Sequence, residues 1–415
     1  MPGNPRIAVV SPFLDRRHGT ERCTLEQIER LARDYGYEIH LYSQRVADLQ
    51  NAELWVPHAA PPMPGRIYWH KISSIPGPHL FQFLWWMIAN RFCRWRDSRS
   101  GRLRFDLVYS PGINCLDADA VTVHAVFHGL LSRTQERFSG AQKPAGSWPT
   151  RLHRRLYYRV LRNLENRIYA NPDLAIAAVS PRTAAQLERH FRRKDVRVIP
   201  NGVDLDAFNP KARLSRRPDA RKRFAFRDHE FVALLIGNDW RNKGLVALLE
   251  ASASCPDLPL KLLVVGQDDP TLIGEVLERF SMTSRVCFQT PSADVLQFYA
   301  AVDVYASPSL EDSFALPVAE AMACALPVVT SAEAGISAFL QDGVDSFVLR
   351  DPSDSAALAA VLRRLYEDSA LRRTLGENAV RTAQALNWEK NAALTKQFLE
   401  EAMRAKKSRK VNTTH

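Results

Sequence analysis

The chain has 415 residues, of which 46% are hydrophobic and 24% charged, with a formal net charge of +11. That length is long for one hydrophobic core and suits two α/β domains, and the composition is that of an ordinary soluble globular protein rather than a disordered or fibrous one. Six cysteines (Cys23, Cys93, Cys115, Cys255, Cys287, Cys324) lie far apart with no CxxC pair. Neither a zinc site nor a disulfide framework is suggested, and reduced thiols in cytosol are the expectation. Residues 1–200 hold 30 Lys and Arg against 17 Asp and Glu, an excess of 13, whereas residues 201–415 hold 26 against 28. A basic half joined to a near-neutral half points to an anionic partner for one domain: a membrane surface, a nucleic acid or a phosphorylated acceptor. The opening MPGNPRIAVVSPF carries no basic-then-apolar leader, so secretion is not expected.

In chain order, Arg6 to Pro12 predicts a short buried strand, followed by a polar loop with Gly19 and a helix from about Cys23 to Tyr35. Strand, glycine and helix start make a phosphate-binding outline, although one glycine is far from GxGxxG. Glu38 to Ser43 predicts a second strand. From His79 to Arg104 an aromatic run (Phe81, Phe83, Leu84, Trp85, Trp86, Met87, Ile88) is followed by Arg91, Arg94, Arg96, Arg99, Arg102 and Arg104. The run is too short to cross a bilayer, which takes about 20 apolar residues. Two readings stand: an interfacial helix with arginines on anionic headgroups, or a core helix with a solvated basic end.

Asp106 to Ser110 predicts another strand, and the run after Asp119 ends in His124 and His128, with alternation placing His124 opposite the valines. A loop at GAQKPAGSWP leads to a helix of roughly Arg151 to Tyr169 carrying Arg154, Arg155, Arg159, Arg162 and Arg167. A strand through DLAIAAVS, a helix capped by Ser180 and a strand Val196 to Ile199 close the first half. Pro200-Asn201-Gly202 is a turn, and the domain boundary is expected between about Asn201 and Arg227.

The second half opens with strand, polar loop and helix in FVALLIGNDWRNKGLVALLEA. Arg241 and Lys243 stand between Gly237 and a helix begun at Gly244, so two cations and helix-start amides offer a pyrophosphate clamp. LKLLVVGQDD is a strand ending at Gly266-Gln267. Val304 to Thr330 reads as strand, polar turn, helix and strand, with Asp312 and Glu320 separated by seven residues. With a helix start near Phe314 or Ala315, the amides of Ser313, Phe314, Ala315 and Leu316 would be its unpaired donors. Such loops at strand ends form the ligand crevice of an open α/β sheet. An isolated D-x7-E is more often a helix cap and a solvated glutamate.

The wording around that pair, SLEDSFALPVAEAMACALPVV, resembles the acid-x7-acid signature of the family 4 glycosyltransferases of GT-B fold, with Phe314, Leu316, Glu320, Ala321, Met322, Ala323, Pro327 and Val328 in register. Two positions depart: Asp312 stands for the usual Glu, with Glu311 beside it as an alternative first acid, and Ala315 stands for the usual Gly. Gly19, Thr20 and Glu21 resemble the remains of the family's N-terminal Gly-Gly-Thr-Glu loop, which faces the donor phosphates. IPNGVD at 199–204 resembles its interdomain link, and LKLLVVGQDD is similar to wording in bacterial lipopolysaccharide-core glucosyltransferases. Lys243 and Gly244 match the family's Lys-Gly, whereas its Arg position is Asn238, with Arg241 as a substitute. Val286 to Phe288 lies where relatives hold the base. The tail from near Trp388 resembles the family's closing helix.

The resemblance implies an α/β chain of GT-B class, with two Rossmann-like domains facing across a cleft: 1–205 on the acceptor side and 206–385 for the nucleotide-sugar. Residues 386–405 would be a helix crossing back to the first domain, and 406–415 a frayed basic tail. It implies a retaining hexosyltransferase that moves a sugar from a nucleoside diphosphate sugar to a glycan, lipid-linked or lipopolysaccharide-type acceptor. Lys243, Arg241 and the 314–316 amides would meet leaving-group charge. Asp312 would take the donor sugar and Glu320 the ribose hydroxyls. His124 would orient the reacting sugar, with Asn238 and Gln267 also lining the donor site. No metal is implied; Asp117 and Asp119 precede a strand and read as incidental. The chain would be cytoplasmic, or peripheral on the inner face of the cytoplasmic membrane through 81–104. Two rivals are a GT-B nucleotide-sugar epimerase, which consumes donor without acceptor, and a non-catalytic basic nucleic-acid-binding protein, which would show salt-sensitive RNA or DNA binding without UDP-sugar affinity. The donor base, sugar, acceptor, linkage and oligomeric state are not legible in the sequence.

Overall fold

The computed structural model describes residues 4–16, 19–49, 52–55, 63–99, 103–129 and 148–412. Arg102 and most of the 140–149 loop lie outside them. Two compact units result: residues up to Ile199 together with those from Asn391 onward, and Pro200–Lys390. Both divisions differ by a few residues from the expected 205/206 and 385/386. The cause is local packing: Val203 bridges Asn387, and a Cβ on Gly202 would lie 2.5 Å from the Trp388 amide nitrogen. Pro200 to Asp204 of the IPNGVD segment are thereby held within the second unit, while Ile199 stays in the first.

The first unit carries an eight-stranded sheet, in the order Arg197–Val198, Ala175–Ala178, Ala120–Val123, Leu107–Pro111, Arg6–Val10, Glu38–Ser43, Ile67–Lys71, Ala52–Leu54. All pairings are parallel. Parallel strands covered on both faces read as continuous apolar runs, and this decides a point of the sequence reading. Ala120–Val123 is buried throughout rather than on alternate residues, so alternation could not assign His124 a face. The helix Gly19–Tyr35 starts four residues before the expected Cys23. The helix Trp148–Tyr169 also starts early.

The helix His79–Arg99 buries Leu80, Trp86, Ala89, Asn90, Arg94 and Asp97. Phe81, Ile88, Phe92 and Trp95 are more than half exposed, and Leu84 and Trp85 somewhat less. Arg94 is not a headgroup-facing cation: it is buried and forked onto Asp117 at 2.7 and 2.9 Å. Among the described residues no helix is long and apolar enough to cross a membrane.

The helix Trp388–Asn412 begins in the second unit and ends in the first. Phe398, Leu399, Ala402 and Met403 share one core with Ile7, Val9, Leu25, Ile28, Ile39 and Leu41. The basic tail is not frayed from Lys406 as expected; Lys406 pairs with Asp119 at 2.8 Å and the helix continues to Asn412.

The second unit holds a six-stranded parallel sheet, in the order Val286–Gln289, Leu260–Val265, Phe231–Ile236, Val304–Ser307, Val328–Ser331, Phe347–Leu349. Connections run outward in opposite directions from its central pair, Phe231–Ile236 and Val304–Ser307. That pair is the topological switch point, and the crevice beyond its carboxyl ends is where open α/β sheets bind ligands.

Candidate active site

Two loops leave the switch point together, 237–244 after Ile236 and 308–315 after Ser307. Their approach depends on Gly244, whose φ of +85° is left-handed and whose added Cβ would sit 2.2 Å from the Pro308 carbonyl oxygen. Any side chain there forces the loops apart. Leu310 N donates to Asn242 O at 2.7 Å, Asn242 Nδ2 to Glu311 O at 2.8 Å, and Ser307 Oγ to Lys243 O at 3.2 Å.

This clasp brings Lys243 and Asp312 into an ion pair across 69 residues of sequence, with side chains 20% and 14% exposed. The other carboxylate oxygen of Asp312 accepts from Phe314 N at 3.2 Å and Ala315 N at 2.9 Å. Two of the four amides expected to be unpaired are therefore taken internally, because a short acidic side chain just before a helix satisfies its first donors. Asp312 is both helix cap and counter-ion; Glu311 contributes its backbone carbonyl to Asn242. The helix that follows, Leu316–Ala323, begins one or two residues later than expected. Ala315, the position of the family's glycine, has φ +69° and ψ +65°. A left-handed conformation costs a residue with a Cβ roughly 1–2 kcal/mol, which gives the family's glycine a physical reason.

Glu320 is not a solvated residue. It is 4% exposed, and one carboxylate oxygen accepts from Tyr299 Oη at 2.6 Å. Tyr299 is wholly buried, and burial beside Glu320 pushes its phenol well above its ordinary pKa. Arg241 lies on the Lys243 loop but is exposed and reaches the Leu272 carbonyl at 3.4 Å, so it does not converge with Lys243. Asn238 Oδ1 accepts from Gln267 N at 3.0 Å, and both residues are exposed at the strand ends. Ser313 and Leu316 are half-buried, and Phe314 is buried.

Sequence reasoning missed Asn242, Asp268 and Tyr299. Asp268 accepts from Asp239 N at 3.1 Å and Trp240 N at 2.6 Å, shaping the Lys243 loop from the next strand end; its place in GQDD was a usable signal. Nothing marks Tyr299 in the sequence.

His124 and Gly19 belong to the first unit. His124 directly follows the strand Ala120–Val123, and its Nε2 is buried with no hydrogen-bond partner among the described residues. Burial pushes this imidazole down to about 4, so it is neutral at pH 7. Gly19 is exposed at the first position of its helix. Asp117 and Asp119 serve structure: one forks with Arg94, the other accepts from Val108 N at 2.7 Å and pairs with Lys406.

The profile described as Glycosyltransferase Family 4 matches residues 17–207, and that described as Glycosyl transferases group 1 matches residues 230–368. The chain thus carries a Glycosyltransferase Family 4 domain followed by a Glycosyl transferases group 1 domain. It is 32% identical over 246 residues to a D-inositol 3-phosphate glycosyltransferase of Salinispora arenicola (strain CNS-205), covering 55% of each chain. It is 28% identical over 200 residues to the lipopolysaccharide glucosyltransferase WaaG of Escherichia coli (strain K12), covering 47% of this chain and 54% of WaaG. The chain thus spans about half the length of these curated relatives. In fold it matches the crystal structure of WaaG with a TM-score of 0.70 at 20% identity, over 93% of this chain and 98% of that one. It matches Anabaena HepE in complex with UDP-glucose with a TM-score of 0.67 at 20% identity, over 95% and 98%. The fold is thereby GT-B, as the two parallel-sheet units imply.

Proposed function

We propose that this chain is a retaining hexosyltransferase that draws on a nucleoside diphosphate sugar and delivers the sugar to a glycan, lipid-linked or lipopolysaccharide-type acceptor. The observation that carries the reading is the Lys243–Asp312 pair at the switch point of the second sheet. A cation held at the mouth of a parallel sheet, next to a helix start, is poised to take a diphosphate when one arrives. Two relatives by name transfer sugars, one of them glucose to lipopolysaccharide, and a structural neighbour holds UDP-glucose.

In the proposed reaction the anomeric C–O bond to the β-phosphate breaks and a new C–O bond forms to an acceptor hydroxyl, whose proton leaves with the nucleoside diphosphate. Negative charge grows on the β-phosphate, so Lys243 moving from Asp312 to that phosphate speeds departure. Arg241 joins by swinging from the Leu272 carbonyl, and the Ser313 and Leu316 amides face the phosphates. Asp312, once released, accepts from a sugar hydroxyl. Glu320 accepts from the ribose while keeping Tyr299, since a carboxylate has about four acceptor sites. Asn238 and Gln267 line the same donor site, and Gly19 admits the phosphates from the first unit. His124 orients the reacting sugar through its unpartnered Nε2. Positive charge from Lys243 and Arg241 stands in for a metal, so turnover should survive chelation.

The exposed aromatic stripe of His79–Arg99, flanked by exposed Arg91, Arg96, Arg99 and Arg104, fits an anionic lipid surface. This reading places the enzyme on the inner face of the cytoplasmic membrane.

A thermal-shift screen across nucleoside diphosphate sugars, followed by hydrolysis assays with EDTA present, tests the donor assignment. Lys243→Ala should lower turnover at least about 100-fold while the far-ultraviolet circular dichroism stays unchanged. Near-normal kinetics in that variant would remove the clamp.

A further inference from the structure

The second unit has another charged concavity, at the end of its sheet opposite the donor loops. Asp303 immediately precedes the strand Val304–Ser307, and Pro327 immediately precedes Val328–Ser331, so both mark the amino ends of those strands. Around them lies a cavity of about 570 Å³, walled by the helix Pro210–Arg223 and the helix Ser369–Ala385. Its charged lining is Arg213, Arg217, Arg372, Arg373, Asp303 and Glu377.

The cations in this wall are not equally committed. Arg217 is bound to Asp303 at 2.5 Å and to the Val302 carbonyl at 2.7 Å. Asp303 is further held by Val232 N at 2.8 Å and by Arg221, so its charge is fully engaged. Arg372 donates to the Leu365 and Tyr366 carbonyls and lies over the Phe231 ring, but meets no carboxylate among the described residues. Arg213 makes no side-chain hydrogen bond or ion pair among the described residues, and its Nε is buried and unpartnered. Arg373, exposed beside it, is likewise in no ion pair.

Arg213 is half-buried, and a guanidinium nitrogen stripped of water with no acceptor in its place is costly. Such a group calls for an explanation, and an absent anion is the simplest. With Arg217 and Asp303 set against each other, Arg213, Arg372 and Arg373 remain opposite Glu377, a surplus of two positive charges. A phosphate monoester carries about −1.5 to −2 at neutral pH, and Arg is the side chain best shaped to fork onto it. The volume lies within the roughly 300–1,000 Å³ of small-molecule sites.

We propose that this cavity binds the phosphoryl group of a small phosphorylated compound, with Arg213 as the principal contact and Arg372 and Arg373 closing over it. The site is separate from the donor loops. The helix Leu316–Ala323 starts at the donor loop, and the turn after it, at Ala325, forms part of the cavity wall. Burial and the neighbouring Arg217 lower the Arg213 pKa, as expected for a cation lacking its counter-charge.

The test uses the full chain carrying Lys243→Ala, which silences the donor clamp, and titrates inorganic phosphate and glycerol phosphate by calorimetry. The parent should bind at least one of them, tighter binding of the ester marking a metabolite and equal binding marking free phosphate. Arg213→Met should weaken that binding at least about tenfold. Arg373→Glu, at an exposed position that tolerates charge reversal, should do the same if Arg213→Met fails to fold. Binding unchanged in a folded variant, or no binding to the parent up to about 10 mM, overturns the proposal.

Discussion

Lys243 and Asp312 neutralise each other before any ligand arrives, so a diphosphate has to displace a carboxylate as well as water. This favours ligands with more than one charge and disfavours lone monoanions. His124 is the residue whose protonation state has the clearest consequence. Its folded pKa near 4 lies below the ordinary 6.5 of an unfolded histidine. The unfolded chain therefore binds the extra proton first. The stability tied to this group is complete above about pH 6.5 and is lost as pH falls toward about 4. Its ring carbon shift, followed by NMR, should stay flat from pH 8 to about 5.5. An inflection near 6.5 would show a solvated imidazole and remove His124 from the reacting-sugar role.

At the scale of elements, the helix His79–Arg99 carries apolar residues on two faces, and this is why its sequence could not choose between core and interface. Leu80, Trp86 and Ala89 face inward, while Phe81, Ile88, Phe92 and Trp95 face out. The chain should cosediment with vesicles containing anionic lipid at low salt and release as salt rises, since charge attraction is screened over about 10 Å at 0.1 M. Phe92→Glu with Trp95→Glu should abolish cosedimentation without altering the thermal midpoint; no cosedimentation by the parent would leave these aromatics without a lipid role. The strands and the 304–330 segment were legible because their cues are local: apolar runs, Gly and Pro punctuation, and an acid before a helix. The Lys243–Asp312 pair was not, because it is made across 69 residues. Nor was the internal use of the Phe314 and Ala315 amides, since sequence shows a helix start but not which acceptor reaches it first.

For the whole molecule, two parallel-sheet units were legible from alternating strands and helices, but their boundary was set by backbone contacts at Gly202 that no pattern displays. The first unit's core is completed from the far end of the chain, by Phe398, Leu399, Ala402 and Met403. Removing residues from Asn391 onward should cost that unit on the order of 5 kcal/mol, at about 1.5–3 kcal/mol per large buried side chain. Calorimetry should then show its transition lowered or missing while that of Pro200–Lys390 persists. An unchanged first transition would show the helix to be dispensable. During synthesis the same arrangement reverses the usual order. The earlier unit waits for Phe398, Leu399, Ala402 and Met403 to emerge, while its younger neighbour already has every residue it requires. Slowed translation of the codons for residues 391–403 would lengthen that vulnerable interval, and chaperone dependence should track it.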